Sequence, residues 1–521
     1  MDEVVTGHNI TSALQGLDYA VLAVSIAGLI AIAYLTGRRE SDTQDFFLGK
    51  RSVPPAIACL SFVAAEVSAV TIVSVPGVAF KENWQYLQFF VGSAAARVFI
   101  AFLFIPVFYR FNCTTIYEFL KHRFGDRTRY AGSVFFFITR LLGSGVRLYA
   151  ASLGVAVILG WRLDQAILLF TAVSIAFIAF GGIKAVVWTG AFEAVMFYLA
   201  GAAIATYLVL QIPGGVSQAW QIADEAGKFD LVNLTWNLAD PKTLWAAALS
   251  AFFINLSVFG TDQDFMQKML TVKTRRSSQT ALLGTIVAGF VLVCTYMVVG
   301  TLLFAFYRQH PDPALPADGD QVLSHFAVHV LPAGLKGLVL SAIVLASIDS
   351  PLSSLSASFV TDIYRPLINR TACERHYLWV GRIGVAAFGV ILAGLAYASD
   401  YLKEGGVLWV AFQVLGVTGG STLGVFLLGM LTKRQADRSN VLAMTVSALA
   451  MAVLLWLSQT GQIGLGWSWL IVIGTAMTFG LGWVLGPVLD GRQRQRLSHG
   501  LTRKDAEKQQ LDLKQANAST L

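Results

Sequence analysis

An apolar, helix-length stretch from Gly334 to Asp362 carries Asp349 and seven serines between Ser341 and Ser358. Hydrocarbon gives hydroxyls and carboxylates no hydrogen-bond partners, so these groups must face protein, water or an ion. An acid turned toward lipid would cost about 2.5–3.5 kcal/mol even on the lenient scale. Such a stretch reads as the wall of an ion or solute pathway. The plainer reading is packing, because small residues let membrane helices approach closely. Two other stretches look like interrupted helices. Ser61-Phe-Val-Ala-Ala-Glu-Val-Ser68 puts Glu66 in mid-span and leads into Pro76-Gly77. Asn255-Leu-Ser-Val-Phe-Gly260-Thr-Asp262-Gln263 puts an amide, a glycine and an acid near one span end. Unwound turns of this kind release backbone carbonyls that can hold ions.

The elements that must position these groups are membrane spans. Hydrophobic residues make up 55% of the 521 and charged residues only 13%, against about 25% charged in an ordinary soluble domain. Mean hydropathy is +0.63. About 13 segments are close to 20 residues long, enough to cross a hydrocarbon core of about 30 Å. The fold class expected is an all-α polytopic membrane protein, with one transmembrane domain over residues 1–489 and a polar tail over 490–521. Most lysines and arginines fall in loops after odd-numbered spans, including Arg110 to Arg129, Lys268 to Arg276 and Arg365 to Arg375. The positive-inside rule then puts the N-terminus outside a cell membrane and the C-terminus in the cytoplasm.

The net charge of +7 is therefore a topology signal and does not argue for nucleic-acid binding. Cys59, Cys113, Cys294 and Cys373 lie in spans or basic loops, which argues against a disulfide framework. There is no CxxC or HExxH pattern and no GxxxxGK[ST] loop. A structural metal site, ATP-driven transport and enzymatic chemistry are not expected. The expected partners are a small solute and the lipid bilayer, with no obligatory protein partner. The two broken spans, near 54–80 and 243–262, hold corresponding positions in two five-span sets at about 54–212 and 243–432. Paired discontinuous helices in two halves point to an inverted-repeat transporter.

At these residues the chain resembles the sodium/solute symporter family. The resemblance is carried by Ala64–Ser68 with Pro76-Gly77, by Thr115-Ile-Tyr-Glu-Phe-Leu to Arg123-Phe-Gly, and by Gly181-Gly-Ile-Lys-Ala-Val-Val-Trp-Thr189. It continues in Gly260-Thr-Asp-Gln263 through Lys273, Thr361-Asp-Ile-Tyr364 and Gly424-Val-Phe-Leu-Leu-Gly429. It implies a LeuT-like 5+5 inverted repeat with one helix before the repeats and others after them. It also implies sodium-coupled uptake by alternating access. The family's common sodium site maps to Ala64, Val67, Ile343, Ala346 and Ser347, with Ala346 standing where a hydroxyl is usual.

Members with a second sodium site carry an aspartate after the Trp-Thr pair, and here Gly190 follows Trp188-Thr189. Asp349 lies about 200° around a regular helix from Ser347. The expectation is that this acid, with Ser350, Glu193 and the room left at Gly190, forms a second site for sodium or a proton. For solute, the resemblance points to Glu66, Ser68, Thr71, Asn255, Val258 and Gln413. Glu66 either touches solute or orients the unwound turn. Arg147 resembles the arginine of the branch that carries carboxylates and could grip a carboxylate in bidentate fashion. A small organic acid or amino-acid-like solute is favoured. A membrane sensor with a symporter-like domain is an alternative of another class. A channel is disfavoured by broken helices and by the lack of a continuous charged ring.

Overall fold

A computed structural model describes residues 14–37, 43–67, 69–159, 161–237, 240, 242–348, 351–399 and 407–490. Ser68, Asp349, Ser350 and residues 491–521 of the tail lie outside the described residues, as do the side chains of Ser347 and Gln413. Every regular element among the described residues is helical.

The chain begins with α1 (Gly16–Gly37) and a short α2 (Thr43–Leu48), then enters the first broken pair, α3 (Pro55–Glu66) and α4 (Ala69–Lys81). The halves of this pair are bent by 62°. Pro55 starts α3 without loss, because the first helical position has no N–H partner to forfeit. Next, α5 (Gln88–Phe99) runs through a π-helical turn, Ile100–Phe104, into α6 (Ile105–Arg110). Pro106 cannot donate to the turn before it, and widening that turn accommodates the missing bond. A short α7 (Tyr117–Arg123) precedes the long α8 (Asp126–Leu159) and α9 (Leu163–Gln211). Gly182, at φ 49° and ψ −160°, interrupts α9. A side chain there would be strained, and the kink separates the two spans expected over this stretch.

The second half contains α10 (Gly215–Glu225), then the second broken pair, α11 (Leu244–Gly260) and α12 (Gln263–Leu270), bent by 61°. After these come α13 (Arg275–Gln309), α14 (Gly319–His329), α15 (Leu335–Ile348) and α16 (Leu352–Ser358). A π-helical stretch, Phe359–Ile368, follows α16 and contains Pro366. The last helices are α17 (Glu374–Ser399), α18 (Val407–Leu431), α19 (Asp437–Gln459) and α20 (Ser468–Leu489). Among the described residues, eight single helices are long and apolar enough to cross a membrane, or up to ten if each bent pair counts as one span. The thirteen spans expected would also need three shorter apolar helices, Leu163–Ala176, Leu335–Ala346 and Leu415–Leu431.

The serine-rich span is not one continuous helix. α15 is described to Ile348 and α16 from Leu352, with Pro351 just before α16 in a non-helical turn at φ −71° and ψ 14°.

The broken pairs pack at the centre. α3 lies along α9, α5 along α11, and α13 against α3 and α4. Phe62 of α3 sits 5.0 Å from the rings of both Phe259 and Phe265, one on each half of the second broken pair. At Gly190 a Cβ would stand 2.5 Å from Ser61 Oγ and 3.2 Å from Ser61 Cα. Glycine is what lets α9 approach α3 so closely.

Candidate ion and solute site

The first break forms where α3 ends. Val67 still donates to Val63 O at 2.9 Å, then turns extended at φ −89° and ψ 95°. The carbonyls of the last turn, Ala64 among them, are thereby released from the helical pattern. Ala64, Val67 and Ile343 are buried and Ala346 is half-buried. α4 leaves the break and packs on α15, which carries Ile343 and Ala346.

Glu66, the last residue of α3, accepts from Arg97 Nη2 of α5. Arg97 is fully buried, donates to Ser93 Oγ at 2.6 Å, and lies 4.8 Å from the Phe259 ring centroid. A guanidinium needs both a counter-charge and hydrogen bonds once it leaves water. Glu66 supplies the charge, and in return its side chain is held toward α5. This geometry ties the end of α3 to its neighbour α5. Thr71 and Val258 are half-buried beside the two breaks. Asn255 donates its amide N–H to Ala251 O at 2.7 Å, which leaves its oxygen as the group a ligand could meet.

The second break is built from polar groups that the sequence only partly singles out. Asp262 caps α12 by accepting from Asp264 N at 2.9 Å. Arg140 of α8 donates to Asp264 and lies 3.3 Å from Asp262. Lys268 Nζ stands 3.4 Å from Asp264, and Arg147 acts electrostatically on both acids. Gln263 accepts from Ile116 N at 2.9 Å and donates to Thr114 O at 3.2 Å, while Tyr117 donates to Thr261 O at 3.1 Å. Gln267 donates to Phe47 O at 2.7 Å. α8, α2 and the segment before α7 are thus fastened to α12 near the basic loops, and α7 to the turn that precedes it.

Beside this lies a buried knot that no local pattern announces. Asp362 accepts from Thr115 Oγ1 at 2.8 Å, from Arg129 Nε and Nη2 at 3.0 and 2.8 Å, and from Ser358 Oγ at 2.7 Å. Arg129 also donates to Thr361 O at 2.7 Å. Asp362 is fully buried and Arg129 nearly so.

The serines divide among several tasks. Ser341 bonds back to Gly337 O, Ser354 to Pro351 O, Ser356 crosses to Gly381 O of α17, and Ser358 holds Asp362. Ser354 therefore spends its proton on its own chain. Ser353 is buried with no hydrogen-bond partner among the described residues, and so is Ser61. The room at Gly190 is filled by Ser61 of α3. Glu193, one turn further along α9, is buried. Arg147 is half-buried on α8.

On the opposite side, Lys228 closes the other end of the first broken pair. Its ammonium donates to Phe80 O at 2.6 Å and Glu82 O at 2.7 Å, at the carbonyl end of α4. It also sits 4.2 Å from the Phe304 ring centroid. Burial, aided by Arg308, lowers the Lys228 ammonium to about 8, with Glu82 acting in the other direction.

Known proteins resemble this chain in sequence and fold. A sodium/sialic acid symporter from Aliivibrio fischeri is 27% identical over 481 residues, covering 91% of this chain and 93% of that one. A sodium-dependent multivitamin transporter from Oryctolagus cuniculus is 29% identical, covering 81% and 67%. Sodium-coupled monocarboxylate transporter 2 of Danio rerio is 28% identical, covering 80% and 68%. A solved Na+-coupled sialic acid symporter, substrate-bound and outward-open, superposes with a TM-score of 0.83 at 24% identity, over 91% of this chain and 98% of that one. That likeness shows the LeuT-like fold. The sodium:solute symporter profile matches residues 46–447, most of the chain, so this protein belongs to the sodium:solute symporter family and is a sodium-coupled solute transporter, not an enzyme.

Proposed function

We propose that the chain carries a small organic carboxylate, or an amino-acid-like solute, inward with sodium by alternating access. The observation that supports this most directly is the matched pair of helix breaks, at Glu66–Ala69 and Gly260–Gln263, bent by 62° and 61°. Unwound turns at such breaks offer backbone carbonyls that can bind ions. Sodium is assigned to Ala64, Val67, Ile343, Ala346 and Ser347. Arg147, near the second break, is the group suited to a solute carboxylate. Relatives named for sialic acid and for monocarboxylates also favour an acidic solute. The N-terminus is placed outside and the C-terminus inside on the strength of the basic loops.

The test is saturable uptake of labelled carboxylates, sialic acid and short monocarboxylates included, into proteoliposomes under an inward sodium gradient. Uptake that saturates, needs sodium and weakens in Arg147→Gln supports the assignment. Sodium-driven uptake of neutral solutes alone would remove the carboxylate. Flux that never saturates would indicate a channel, and no flux would favour a sensor.

Buried Glu193 on α9 supports a second reading, in which it and Asp349 bind another sodium or share a proton. Uptake by Asp349→Asn under separate sodium and proton gradients decides it. Unchanged coupling in that variant would sink the second reading while leaving the first intact.

A further inference from the structure

The segment between α9 and α11 exposes apolar groups on two of its parts. On α10, Ala219 and Ala223 face the protein, while Val216 and Trp220, one turn apart, face outward. Beyond Phe229, which stacks on Trp220 at 4.1 Å between ring centroids, the chain runs without regular structure through Leu231, Val232, Leu234 and Trp236. Leu234 is 63% and Trp236 77% exposed. A patch of this kind in water would be a liability unless something covers it.

Its level in the molecule identifies the cover. Asn233, within the segment, accepts from Leu244 N at 2.8 Å and donates its own N–H to Gln88 Oε1 at 2.9 Å. Leu244 and Gln88 are the first residues of α11 and α5. The segment is therefore pinned at the height where two spans begin, which is the membrane–water boundary. Trp236 lies 6.2 Å from Trp245, ring to ring, and Trp245 is on the first turn of α11 and 51% exposed. The patch thus continues the lipid-facing surface of a span. Tryptophan favours this level, since its ring is apolar and its N–H can reach water or headgroups.

We propose that residues 216–236 form a wedge seated in the lipid interface on the side opposite the basic loops. Leu231, Val232, Leu234 and Trp236 enter the acyl boundary, and Asp224, Glu225 and Asp230 stay among headgroups and water. Lys228 lies in the turn of this wedge and holds the carbonyl end of α4. The wedge therefore moors one half of the broken helix to the bilayer.

Spin labels at Leu234→Cys and at Gln218→Cys, in a variant with the four native cysteines changed to serine, test this in liposomes. The Leu234 label should collide more with dissolved oxygen than with a water-soluble nickel chelate, and the Gln218 label should show the reverse. Equal chelate access at both positions would place the loop in water and overturn the proposal. A Leu234 label that is immobilised and dipolar-broadened would show a second copy of the chain as the cover, and would overturn it too. A second measurement keeps the native cysteines. The emission lost in Trp236→Leu should be quenched more by lipids brominated near the glycerol end than by lipids brominated near the methyl end. Absence of quenching by either would refute the lipid contact.

Discussion

The bond between Arg140 and the α12 acids joins α8 to one half of a broken helix near the basic loops, and it is expected to act as a lock that holds that side shut. Arg140→Gln removes the cation and leaves Asp262 and Asp264 facing each other. Their side chains are only 10% and 14% exposed, so water screens them little. Deleting one partner of a buried pair costs about 3–5 kcal/mol. Lys268, 3.4 Å from Asp264, remains and offsets part of this, so a loss of about 2–3 kcal/mol to the shut state is expected. At 1.4 kcal/mol per factor of ten, the balance should move about 30- to 150-fold toward the state open on the basic side.

Cys113 reports this directly. It is 1% exposed and adjoins Thr114, whose carbonyl binds Gln263 of α12. With Cys59, Cys294 and Cys373 changed to serine, N-ethylmaleimide should label Cys113 faster in Arg140→Gln by a factor of that order. Asp264→Asn should shift it the same way, by less. If both variants label at the parental rate and keep a parental melting temperature, the pair is not a lock on that side and the reasoning fails.

Other consequences can be measured separately. Asp362→Asn strands buried Arg129 and should cost about 3–5 kcal/mol, whereas Thr115→Val loses one hydrogen bond worth about 1 kcal/mol. The double variant Asp362→Asn/Arg129→Gln should recover part of the loss in thermal melts, and strict additivity would count against the pair. Gly190→Ala forces a methyl against Ser61 and should destabilise by about 1–3 kcal/mol; an unchanged melting temperature would mean the helices are not in contact there. The Lys228 ammonium is lowered to about 8, so it is charged well below that pH and neutral well above it. The hold on α4 should loosen as pH on that side rises through about 8, and the pH dependence of uptake should vanish in Lys228→Met. The folding linkage has the opposite sign. The folded chain releases this proton more readily than the unfolded one, so the burial cost is relieved as pH rises from about 8 toward 10.5. Persistence of the pH effect in Lys228→Met would assign it elsewhere.

Much of the class was legible in the amino-acid order, because a bilayer imposes its demands locally. Each span must be apolar for about 20 residues, and an acid, amide or glycine inside one marks a helix that cannot stay regular. That is why Glu66 and Gly260–Gln263 signalled the two breaks before any contact was known. Ordered motifs did the same for the family. What tertiary structure alone decided was which polar group answers which. Arg97 takes Glu66, Arg140 takes Asp262 and Asp264, and Arg129 takes Asp362, across separations that leave no periodic trace. The serine-rich span makes the same point. Composition said its hydroxyls need partners, but only packing showed Ser356 turned to α17 and Ser358 to Asp362. The physical reason is that burial makes pairing obligatory for every such group, while the identity of the partner depends on which helix faces come together.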